Sequence, residues 1–113
     1  MDNFIQDGLA LDFTAPSGGV TVGVPVLIGA LLVIPSVTAA EGVQFAGWTE
    51  GVYEVAAATH ATDQAWTEGQ LLYWDNSAKK FTVTATSNTK KGVAAAAKVS
   101  TVAVGRVKLV QTL

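Results

Sequence analysis

His60 is the only histidine in the chain, so a Ser-His-Asp triad, a His-ligated zinc or an imidazole general base would all have to use it. It stands in Ala58-Thr59-His60-Ala61-Thr62, with Asp63 three residues on, and reads as a loop histidine. The carboxylates Glu41, Glu50, Glu54, Asp63, Glu68 and Asp75 fall in separate loops, and their spacing pairs none of them for glycosidase-type acid–base work. Gly18-Gly19 leads into an apolar run without the Gly-Lys-Ser/Thr ending or the helix that a phosphate loop requires. There are no cysteines, so neither a disulfide framework nor a thiolate metal site can form. Five aromatics, Trp48, Tyr53, Trp66, Tyr73 and Trp74, suit either a sugar-stacking face or core and interface anchors. The sequence therefore gives no catalytic, cofactor-binding or metal-ligating residue, and a non-enzymatic protein is expected.

The elements around these residues are set by a run of twenty-eight uncharged residues from Phe13 to Ala40. A membrane-spanning helix needs about 20 uninterrupted apolar residues. Pro16, Gly18, Gly19, Gly23, Pro25, Gly29 and Pro35 break this run too often for one. Between the breaks lie Val20–Val22, Val24–Ile28 and Leu31–Ile34, short β-branched stretches that read as strands. Pro25 confines its stretch to a sheet edge or a strand start.

Upstream, Leu9, Leu11 and Phe13 alternate with Ala10 and Asp12, the period of a half-buried strand. Downstream, Val43–Trp48 and Val52–Val55 are the next strands. The segment Thr62–Gly69 is the best helical candidate, with Thr62 or Asp63 as N-cap and Gly69 closing it. Gln70–Asp75 and Lys80–Thr86 form a hairpin around Asn76–Lys79. Neighbours on a strand face opposite ways, so of Tyr73 and Trp74 one belongs in the core and the other near a surface. Gly92–Ala97 and Val102–Leu109 complete the set; in the last, Val102, Val104, Arg106 and Lys108 share one face, with Gly105, Val107 and Leu109 on the other. Turn signals every 8 to 12 residues or so suit a small sandwich or barrel. The expectation is an all-β, small sandwich or barrel-like domain over residues 9–113, with one short helix near 62–68, preceded by an N-terminal arm over residues 1–8.

Half the residues are apolar and 14% are charged, against roughly 25% charged in ordinary soluble domains. Apolar surface left over in so small a protein marks an interaction site, and a symmetric homo-oligomer would cover it. The net charge of −2 argues against a nucleic-acid partner, which requires a basic patch. The paired cations Lys79-Lys80 and Lys90-Lys91 lie beside turn residues and read as solvated loop tips. The N-terminus lacks a basic segment followed by an apolar one, so cytoplasmic synthesis is expected, with no membrane partner.

Several segments in order resemble the small capsid cement or decoration proteins of tailed phages. They are Ala15–Val20 followed by Gly23–Gly29, then Gly51–Val55, Trp66–Asp75, and Thr86–Thr89 leading into Gly92-Val93-Ala94. Gln70 departs from the acidic residue expected in that family. The resemblance implies a β-rich structural virion protein, usually a homotrimer, that binds the outside of an icosahedral head and bridges major capsid subunits. Phe4 and Ile5 are then candidate anchors of the arm, Gln6 a backbone-pairing residue at a sheet edge, and Trp48 and Trp74 candidate capsid or partner contacts. The alternative is a carbohydrate- or ligand-binding β module stacking its ligand on Trp48, Trp66 or Trp74.

Overall fold

The computed structural model of the protein describes residues 10–111. Nine strands form there: β1 (Ala10–Thr14), β2 (Val26–Ile28), β3 (Leu31–Pro35), β4 (Gln44–Trp48), β5 (Val52–Ala56), β6 (Leu71–Asp75), β7 (Lys80–Thr82), β8 (Thr89–Ala94) and β9 (Val104–Leu109). Neighbouring strands pair antiparallel, in a four-stranded sheet β1-β4-β3-β2 and a five-stranded sheet β5-β9-β8-β6-β7. The fold is all-β, as the turn spacing indicated. The chain divides into two compact units, Met1–Gly51 and Val52–Leu113, each holding one sheet.

In the N-terminal unit, β1 sets Leu11 opposite Gly47 and Phe13 opposite Phe45. The Phe13 and Phe45 rings meet at 5.9 Å over a core of Ala15, Val20, Val33 and Ala39. The apolar run Leu32–Pro35 is buried at every position, which a strand covered on both faces requires. Pro25 stands just before the edge strand β2, where its missing N–H costs no ladder bond. The expected strand over Val20–Val22 reduces to one bridge, Val20 to Ala39. Gly23, at φ 76°, turns the chain and donates its N–H to the Pro35 carbonyl. Gly19 is needed at its turn, because a Cβ there would lie 2.6 Å from the Ala39 carbonyl oxygen.

In the C-terminal unit the sheet closes on itself. Ala57 bridges Phe81 in parallel and the Ala58 N–H donates to the Phe81 carbonyl, joining the end of β5 to β7. The alanines after Val55 thus extend the strand. Inside lie Val55, Ala57, Leu72, Trp74, Phe81, Ala94, Val107 and Leu109, with Trp74 edge-on to Phe81 at 5.2 Å. Tyr73 is half-buried on the opposite side of the strand. The hairpin turn is held by Asp75, whose carboxylate accepts the Ser77 and Ala78 N–H groups.

Three expectations are corrected here. No helix forms at 62–68. Trp66 instead exchanges two backbone hydrogen bonds with Lys98, at 2.8 and 3.1 Å, as an isolated antiparallel bridge. Gln64 is drawn inward as well: its N–H donates to Ser100 Oγ, and its side-chain oxygen accepts from Thr82 Oγ1 and the Val83 N–H. These non-local bonds replace the one or two turns of helix that local capping signals favoured. That same diversion of the Val83 N–H ends β7 at Thr82 rather than Thr86. Finally, Lys91 is not a solvated loop residue. The register of β6 against β8 slips between Leu72 and Tyr73, so the extra residue Lys91 turns inward beside Gly92 and is 1% exposed. Burial pushes its pKa down.

Candidate functional site

The chemistry-bearing residues do not converge. His60 Nδ1 lies 2.9 Å from Asp63 Oδ1 and 3.2 Å from the Thr62 N–H, with both side chains more than half exposed. One ring nitrogen cannot donate to the carboxylate and accept from the amide at once, so these contacts alternate. The neighbouring Ser100 hydroxyl is engaged as acceptor for Gln64. The arrangement is an exposed turn without a walled reaction space. Among the described residues, no three His, Asp or Glu side chains group as a metal site, and no helix is long and apolar enough to cross a membrane.

The tryptophans take three different positions. Trp74 is 1% exposed and donates its Nε1 hydrogen to Asn76. Its area is already used inside the C-terminal unit, so the expectation of Trp74 as a partner contact is not carried forward. Trp66 is 2% exposed, pressed against Gly105, with a buried Nε1 that has no hydrogen-bond partner among the described residues. Neither ring offers a stacking face. Trp48 is half-buried on β4, opposite Ala10 and Ile34, and retains surface for a contact. Phe4, Ile5, Gln6 and the arm as a whole lie outside the described residues.

Over the Trp66 ring sits Lys98, its ammonium 5.3 Å from the ring centroid and donating to the carbonyls of Val102 at 2.8 Å, Val99 at 3.0 Å and Ala58 at 3.4 Å. Three donors meet three acceptors, which satisfies the buried cation. This tripod holds the loop that carries Val99, 63% exposed, and Val102. Beside it a shallow groove of about 310 Å³ is lined by Glu54, Lys98, Val99, Val102, Val104 and Arg106, among others. Glu54 stands directly opposite Arg106 on the neighbouring strand. The groove offers apolar area and fixed charge, with no nucleophile and no paired carboxylates. Its chemistry is contact.

Exposed valines recur in both units: Val22, Val24, Val37 and Val43 in the first, Val52, Val99, Val102 and Val104 in the second. A family model described as phage cement protein matches residues 5–109.

The chain belongs to the phage cement protein family. No curated protein and no solved structure matches it. Membership implies a structural protein that associates with capsid proteins in the virion, which accords with the exposed apolar side chains of both units. For this cement-family chain the matched span includes Ile5, Gln6, Trp48 and Trp74 and begins one residue after Phe4. Sequence reasoning missed the exposed valines as a group. One signal was available, since Val102 and Val104 share a strand face with Arg106 and Lys108, and apolar residues among charges on a solvent face mark a contact.

Proposed function

We propose that this protein binds the outside of an icosahedral phage head as a homotrimer and stabilises it by bridging neighbouring major capsid subunits. The family match across residues 5–109 carries this reading. The valine-rich exposed surface of both units supports it, because bridging needs several contact patches on one small protein. The free energy comes from many modest contacts to several capsid copies, each made intramolecular by the others. Trp48 supplies one contact. Phe4, Ile5 and Gln6 supply another, as an arm that anchors by two apolar side chains and adds backbone pairing to a sheet edge. The protein acts as a structural element rather than an enzyme.

The test is add-back. Heads assembled without the protein are mixed with the purified full-length chain, then sedimented and heated. The chain should co-sediment at fixed stoichiometry and raise the temperature at which heads rupture. Co-sedimentation that leaves rupture unchanged, or no co-sedimentation, would refute cementing.

A further inference from the structure

The charges of this chain are segregated between its two units. All seven Lys and Arg residues lie in Val52–Leu113, together with four carboxylates; Met1–Gly51 holds the other five carboxylates and no Lys or Arg. The N-terminal unit therefore carries −5 and the C-terminal unit +3, which together give the chain's −2. Such asymmetry is hidden in the small net charge, and it gives the two units opposite sign.

Each sign is coupled to exposed apolar side chains. On the outer face of the C-terminal unit, Val52, Lys108, Val93 and Leu71 stand side by side across β5, β9, β8 and β6. Arg106 and Val104 follow on β9, with exposed Glu54 of β5 directly opposite Arg106, so that the face carries two cations against one carboxylate; Val52, Val104 and Leu71 are each about half exposed. In the N-terminal unit, residues 18–23 run beside residues 35–41 as a cross-tied ribbon. Val20 pairs with Ala39, the Val22 N–H donates to Thr38 Oγ1, and the Gly18 N–H donates to Glu41. Exposed Val22 and Val37 project from one end of this ribbon, and exposed Glu41 stands at the other, opposite Gly18.

We infer that the cationic valine face of the C-terminal unit docks the anionic valine ribbon of a second copy of this chain. This rests on the reading of the protein as self-associating head cement and names the two surfaces that meet. Opposite charge sets register and steers encounter, while the valines supply the burial. Because two different surfaces meet, the contact is heterologous: each copy uses its ribbon on one neighbour and its sheet on the other, and a ring forms if the rotation closes.

The experiment is analytical ultracentrifugation of the full-length chain. The wild type should associate at low salt, and raising salt from about 0.05 M to about 0.5 M should weaken association roughly tenfold or more, as screening shortens. Arg106→Glu with Lys108→Glu should give a folded monomer, and so should Val22→Lys with Val37→Lys, with far-UV dichroism unchanged. Each of these double variants keeps the surface the other has lost. Mixed in equal amounts, they should form a one-to-one complex and nothing larger. A monomeric wild type, variants that associate as the wild type does, or a mixture that stays monomeric would overturn the inference. Head binding is scored separately: binding by a chain that does not self-associate leaves the cement reading standing, and self-association without head binding overturns that reading alone.

Discussion

Lys98 and Trp66 hold each other twice, by two backbone hydrogen bonds and by an ammonium 5.3 Å from the ring centroid. Thirty-two residues apart in sequence, they pin two loops of the C-terminal unit to one point. The Lys98 side chain then gathers the Ala58, Val99 and Val102 carbonyls around the same point.

Lys98→Met should therefore destabilise the protein by about 1–2 kcal/mol at neutral pH, since it removes the donor shared by three part-buried carbonyls. Its effect should also depend on pH. Burial lowers the Lys98 pKa below its ordinary 10.5, so between the folded value and 10.5 the unfolded chain binds more protons. In that window the stability contributed by this group rises with pH. Urea titrations at several alkaline pH values should show the wild type gaining on Lys98→Met as pH approaches 10.5. A difference that shrinks over that range would show that the three carbonyls outweigh burial and hold the Lys98 pKa above its ordinary value.

Gly105→Ala should be costly despite its size. The new methyl would overlap Trp66 Cζ3 and stand 2.7 Å from Cη2, and the ring is enclosed and tied through its backbone to Lys98. Overpacking of this kind costs about 1–3 kcal/mol. A denaturation midpoint equal to that of the wild type would mean that Trp66 has room to move.

Alanine replacements at adjacent positions on β6 should differ sharply. Trp74→Ala empties a fully enclosed site against Phe81 and should cost about 3–5 kcal/mol. Tyr73→Ala, on the half-buried outer side, should cost distinctly less and act mainly on assembly. Equal, large losses of stability from both, measured by chemical denaturation, would contradict the strand geometry.

Deleting residues 2–7 removes the proposed anchors Phe4 and Ile5 together with Gln6. The truncated chain should keep its far-UV dichroism, yet be retained less well on heads and lower their rupture temperature relative to the full-length protein. Decoration and stabilisation equal to those of the intact chain would show that this segment bridges nothing.

The parts of the fold legible in the sequence are those fixed by nearest neighbours along the chain. Alternation in β1 and β9, the turn at Asn76–Lys79 and the Gly/Pro punctuation of the uncharged run are local facts. They were sufficient to place strands and to read the class as all-β. The ordered set of those same segments also carried the resemblance to cement proteins. Positions decided by partners far along the chain were not legible. Trp66 leaves its helical signals because Lys98 supplies two backbone bonds and Gly105 the space for its ring; Lys91 turns inward because β6 and β8 slip by one residue. Which tryptophan is buried, which valine is exposed and where a lysine finds its carbonyls depend on contacts dozens of residues apart, and no local spacing encodes them. The sequence determined by itself that this chain is a set of short strands with little charge. Only the tertiary structure decided which of its apolar residues remain at the surface to be covered.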